Sequence, residues 1–304
     1  MFNNLKLGYH RLSGLLKDRG DYLYLKRLIN NNSSQLERFV WSLQPNFSCT
    51  YNCSYCIQSF GIQGGRHSLP KIKEEVDPNI FLKLNKLEGI FSSKIKQLLI
   101  QGGEPLLYKS LPYLIEKLTP FRKIIIISNL SLDLEPYIDL KKKLKDKELK
   151  FIASYHYEFS DIDDFSNKVV RLNNAEMLER CCFVDINWNR SISLMDKFLE
   201  MGIKSEPYKF IGKRDNKIYP VKAQAACLYQ DRTEVQCLST MVLIAPDGNI
   251  YNCHAKMYRG SGAICSIEEF PEKFKVGYLY CGQYGHCQPC QVNNIEIKPF
   301  KKVK

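Results

Sequence analysis

Cys49-Thr50-Tyr51-Asn52-Cys53-Ser54-Tyr55-Cys56 puts three thiols on one short loop, spaced C-x3-C-x2-C. Three thiolates so placed can hold three irons of a 4Fe-4S cube and leave the fourth iron without a protein ligand. Structural metal sites close every position, so an open position suits catalysis, where a small molecule can chelate it. Zinc sites prefer two close pairs of ligands, or pairs with His, and a lone triad fits them poorly. Just before the loop, residues 39–44 are largely apolar and read as a strand.

Beyond the loop, strands and helices alternate. Residues 95–100, 124–127, 151–154, 182–186 and 205–211 read as strands, and 78–87, 111–118, 135–149, 164–179 and 192–201 as helices. The first helix has Asp77 as its cap and Pro78 in its first turn. About six βα units between 39 and 212 predict an α/β fold with a parallel sheet covered by helices. Chemistry in such folds gathers at the carboxyl ends of the strands. The polar groups sit there: Gln101-Gly102-Gly103-Glu104-Pro105 after the second strand, Ser128-Asn129 after the third, Ser154 at the end of the fourth, and Asn187 after the fifth. Alone, Gly-Gly-Glu-Pro would pass for a turn and Ser128 for a helix cap.

In this order, behind the cysteine triad and with the aromatic Tyr55 just before its last cysteine, these motifs resemble the radical S-adenosylmethionine (SAM) superfamily. The resemblance covers about residues 39–212 and implies a partial (β/α)6 TIM-like barrel. It implies that Cys49, Cys53 and Cys56 hold a SAM-binding 4Fe-4S cluster whose open iron takes the amino and carboxylate groups of S-adenosyl-L-methionine. Reductive cleavage would then give a 5′-deoxyadenosyl radical that abstracts hydrogen from substrate. Gln101, Gly102, Gly103 and Glu104 match the family's GGE region, where glycines let the backbone approach and the glutamate accepts from the methionine ammonium. Ser128, Ser154 and Asn187 occupy positions where the family contacts ribose or carboxylate.

After residue 212 the style of the sequence changes. Residues 241–252, with Pro246-Asp247-Gly248-Asn249 at the turn, read as a β-hairpin, and a short helix is expected near 267–274. Of the 12 cysteines, seven lie between 227 and 290. A small region with little core of its own often needs a metal staple. Cys237 and Cys253 flank the hairpin, and Cys287 and Cys290 follow as C-x2-C. This segment resembles the SPASM and twitch extensions of radical SAM enzymes. The resemblance implies one auxiliary 4Fe-4S cluster on Cys237, Cys253, Cys287 and Cys290. Cys227, Cys265 and Cys281 are then spare thiols or ligands of a second cluster, and zinc stays open as an alternative. Adjacent Cys181 and Cys182 read as buried core. The expected domains are an N-terminal extension (1–38), the barrel (39–212) and a small cysteine-rich C-terminal β-hairpin domain (213–304).

The base that would complete an oxidation is not chosen by spacing. Candidates near strand ends are His156, Asp185, Glu206 and Lys209. The leading expectation is oxidation or crosslinking of a small natural product or a peptide. Residues 1–38 show no winged-helix pattern for clasping a peptide, which favours a small or externally delivered substrate. A flavodoxin or ferredoxin-type reductant is the expected redox partner. The net charge of +12 raises two alternatives, an RNA-modifying radical SAM enzyme and a zinc-stapled nucleic-acid-binding module without catalysis. Nucleic acid is not the favoured partner. No apolar run is long enough for a membrane span and no signal peptide is legible, so a cytoplasmic protein is expected.

Overall fold

The computed structural model describes residues 39–53, 56, 58, 75–89, 95–185, 187–209, 212–214, 217–219, 233–270, 272–274, 277–284 and 295–299. The expectations for 1–38, Tyr55, Cys227, Cys287 and Cys290 lie outside these residues.

Six strands pair in chain order, all parallel: β1 (Val40–Leu43), β2 (Ile95–Ile100), β3 (Phe121–Ser128), β4 (Glu148–His156), β5 (Leu178–Asp185) and β6 (Ser205–Lys209). Between them run α1 (Pro78–Leu82), α2 (Leu111–Lys117), α3 (Glu135–Lys143), α4 (Ile162–Asn174) and α5 (Trp188–Glu200). One strand face carries Leu98, Ile100, Ile124, Ile126, Phe151 and Phe183. These pack with Leu114, Phe165, Val169 and Phe198 of the helices in the main core. The other face carries a smaller apolar patch of Ile125, Ile152 and Cys182. Strands buried on both faces read as continuous apolar runs, which is why they were legible in the sequence.

Helix ends follow local chemistry. Asp77 caps α1 by accepting from Asn79 N–H at 3.0 Å, and Asp161 caps α4 by accepting from Asp163 and Asp164 N–H at 3.0 and 2.9 Å. Two helices are shorter than the sequence suggested. α3 stops at Lys143 because Leu144 is already extended, and Glu148 begins β4. α4 stops at Asn174, and Glu176 takes a left-handed φ of 53° in the turn to β5. The helix expected near 267–274 is absent among the described residues, where 267–270 and 272–273 form turns.

After β6 come the short antiparallel ribbon β7 (Gly212–Arg214) and β8 (Lys217–Tyr219), then β9 (Thr233–Ser239), β10 (Met241–Ile244) and β11 (Asn249–Tyr251). α6 (His254–Arg259) and β12 (Cys265–Ser266) follow, and β13 (Leu279–Tyr284) and β14 (Ile295–Pro299) flank β9 in a separate three-stranded sheet. β10 and β11 pair antiparallel around the 245–248 turn. β10 also pairs parallel with β1, Val40 against Met241 through Leu43 against Ile244. The main sheet therefore has nine strands in the order β12-β11-β10-β1-β2-β3-β4-β5-β6. Residues 241–266, within the 213–304 segment expected as a C-terminal domain, supply three strands of this sheet. Trp41 shows the join, with its ring edge-on to Phe121 at 5.7 Å and to Phe270 at 5.5 Å. Among the described residues no helix is long and apolar enough to cross a membrane.

Candidate active site

The cysteine loop leaves the carboxyl end of β1, and the loop after β2 is pressed against it. A Cβ on Gly103 would lie 1.8 Å from the Ser48 carbonyl oxygen, and one on Gly102, at φ 146°, would lie 2.4 Å from the Asn46 carbonyl oxygen. Only glycine permits this approach. Backbone bonds close the contact: Glu104 N–H donates to Ser48 O at 2.7 Å, Gly103 N–H to Asn46 O at 3.4 Å, and Asn46 Nδ2 to Glu104 O at 3.2 Å. The two glycines thus hold the strand of chain that enters Cys49.

Glu104 is 1% exposed. Its Oε1 accepts from Ser128 Oγ at 2.8 Å and Leu106 N–H at 3.1 Å, and its Oε2 from Asn129 N–H at 2.9 Å. Burial pushes the carboxyl up to about 7, against the lowering effect of those three donors. Glu104 thus ties the end of β2 to the end of β3. Ser128 is also buried, donating to Glu104 while accepting from Leu130 N–H at 3.0 Å. Both residues shape the site from behind.

Asn129, which the sequence only noted beside Ser128, reaches the loop directly. Its Nδ2 donates to Thr50 Oγ1 at 3.1 Å and lies 3.7 Å from Cys49 Sγ. Tyr51 N–H donates to the same sulfur at 3.4 Å, and Thr50 and Ser131 hydroxyls meet at 2.7 Å. Cys56 N–H donates to Cys53 O at 3.1 Å, tightening the turn. Cys53 Sγ lies 3.4 Å from His156 Nδ1, at the end of β4. Desolvation pulls the His156 imidazole down to about 4, so it is neutral at pH 7. Hydrogen bonds to sulfur favour thiolate character and suit a metal-ligating set. All three cysteines are half-buried. Among the described residues no three His, Cys, Asp or Glu side chains converge on one metal-ion position.

Ser154 is half-buried in β4, in a cross-strand row with Cys182 and Glu206. Glu206 opens β6 rather than ending it, and its carboxylate is paired with Arg180 at 3.2 Å. Asp185 and Lys209 end β5 and β6, and only their backbones are described. Asn187 caps α5, accepting from Arg190 N–H at 3.3 Å. Gln101 turns toward the C-terminal part of the chain: its Nε2 donates to Ser42 Oγ at 2.8 Å and lies 3.4 Å from His254 Nε2. His254 follows Cys253 and is 2% exposed, and burial holds its imidazole down at about 4.

Cys253 is the cap residue of α6 and Cys237 lies on β9. β9 belongs to the three-stranded sheet, whereas α6 follows β11 of the main sheet. Cys281, expected as a spare thiol or a ligand of a second cluster, is on β13 opposite Val235, two residues along β9 from Cys237. A strand-pair register of this kind has no signal in spacing. Cys181 and Cys182 are both buried, and desolvation pushes the Cys182 thiol up to about 11.

Solved structures of anSMEcpe share this fold. Native anSMEcpe with bound AdoMet matches with a TM-score of 0.54 at 13% identity, over 78% of this chain and 81% of that one. The histidine-tagged form with bound AdoMet gives 0.52 at 12% identity, over 78% of each chain. Native anSMEcpe with bound AdoMet and Cp18Cys peptide gives 0.50 at 12% identity, over 78% of this chain and 80% of that one. No protein-family model and no curated protein sequence matches the chain. At these identities the likeness is one of fold.

Proposed function

We propose that this chain is a radical SAM enzyme that oxidises or crosslinks a small natural product or a peptide. The observation that carries the reading is the seating of the Cys49–Cys56 loop: Gly102 and Gly103 pack on its entry, and Asn129 and His156 reach two of its sulfurs. Support comes also from the shared fold with anSMEcpe, whose structures hold AdoMet. Cys49, Cys53 and Cys56 would hold a 4Fe-4S cluster, which with SAM would supply the electron for sulfonium cleavage and so the radical chemistry of hydrogen abstraction.

This chain's residues would do the rest. Gly102 and Gly103 keep backbone close to the loop. Glu104, Ser128 and Asn129 join the ends of β2 and β3 behind it. Gln101 and Ser154 are the polar side chains left for cofactor contact. Cys237, Cys253, Cys287 and Cys290 would hold the auxiliary 4Fe-4S cluster, to which a substrate electron could pass. A flavodoxin or ferredoxin-type protein would reduce the first cluster.

Anaerobic purification tests the reading. The protein is expected to be brown, to contain iron and sulfide, and to release 5′-deoxyadenosine from SAM under dithionite. Replacing Cys49, Cys53 and Cys56 together with Ala should drop that product to background, whereas C287A/C290A should retain a measurable fraction. Colourless protein carrying zinc would overturn it.

A further inference from the structure

We infer that His156 is a positioning residue for the cluster loop: its Nδ1–H donates to the Cys53 sulfur and raises the reduction potential of the cluster held there. The inference rests on the reading of Cys53 as a cluster ligand. Its basis is the 3.4 Å contact between Nδ1 and Cys53 Sγ, at the point where β4 ends beside the loop. A cluster thiolate has no proton, so the hydrogen shared between these atoms belongs to the ring. Hydrogen bonds to cluster sulfurs stabilise the added electron and move the potential upward.

The ring is held for this task from several sides. The turn after β4 folds back on His156: its N–H donates to Ser160 Oγ at 3.3 Å, and its carbonyl accepts from Phe159 and Ser160 N–H at 2.9 and 2.8 Å. Tyr51, from within the cysteine loop, meets the imidazole edge-on at 5.9 Å. Tyr51 also stacks on Phe159 at 5.2 Å, and its hydroxyl accepts from Ser160 Oγ at 3.4 Å. Loop and turn therefore grip each other through Tyr51, with the histidine between them. This arrangement gives a half-buried sulfur a fixed donor, as outer partners do at metal sites.

The test is the midpoint potential of the cluster whose EPR signal changes on adding SAM, measured in wild type, His156→Phe and His156→Asn. Phe keeps the ring shape without a donor, and the Asn amide can supply a donor where Nδ1 stood. The potential is expected to become more negative in H156F and to return toward wild type in H156N, with iron content equal in all three. An unchanged potential in H156F, with the cluster present, overturns the inference and leaves the enzyme reading intact. A wild type with no SAM-responsive cluster removes both. Should H156F fail to fold, pulsed EPR of wild type grown on 15N-histidine decides: a weak nitrogen coupling that H156N lacks supports the bond, and no such coupling overturns it.

Discussion

Glu104 carries its charge in a closed space, and that has a consequence in pH. Its ordinary value is 4.5 and burial pushes it up to about 7. The folded state therefore holds the proton more tightly than the unfolded chain. The stabilisation is complete below about pH 4.5, fades as pH rises toward 7, and is gone above it. Since each unit is worth about 1.4 kcal/mol, the loss is on the order of 3 kcal/mol. Glu104→Gln keeps the Oε1 acceptor, gives up the Asn129 bond and removes the charge. Urea unfolding between pH 5 and 8 should show a stability decline in wild type that is largely absent in E104Q; parallel slopes would contradict it. At this scale the sequence was readable where chemistry is local. The C-x3-C-x2-C spacing and the paired glycines announce themselves in a few residues. The partners of Glu104 do not, because Ser128 and Asn129 come beside it only when β2 and β3 pair.

Among the elements, β10 is the one that changes the architecture. Met241–Ile244 is four apolar residues, all buried. A hairpin strand with one wet face would alternate; an unbroken apolar run marks a strand covered on both sides. That was the available sign that β10 belongs inside a larger sheet. Its partner could not be read, since β1 lies far off in sequence and no local rule links the two. The α/β alternation before residue 212 was legible for the opposite reason, as each unit closes on its neighbour. Ile244 is fully buried in the main core. Ile244→Ala is expected to cost about 2–5 kcal/mol, measured by urea unfolding as one cooperative transition for the whole chain. A separate low-stability transition with the main one unmoved would mean that the hairpin folds apart from the sheet.

For the molecule as a whole, the nine-stranded sheet makes the two halves one folding unit. A chain ending at residue 212 would lose the β1–β10 ladder and the Phe270 contact on Trp41. Such a fragment should bind ANS and lack near-UV dichroism, the marks of lost packing; a native-like, ANS-silent fragment would show that β1 needs no outer neighbour. The same ladder bears on how the protein is made. Val40 and Met241 are partners about 200 residues apart. At the ribosome's pace of about 5–20 residues per second, β10 is synthesised on the order of 10–40 s after β1. Throughout that interval the nascent chain shows a bare strand edge beside the thiols of Cys49, Cys53 and Cys56, so guarding that edge is work for chaperones.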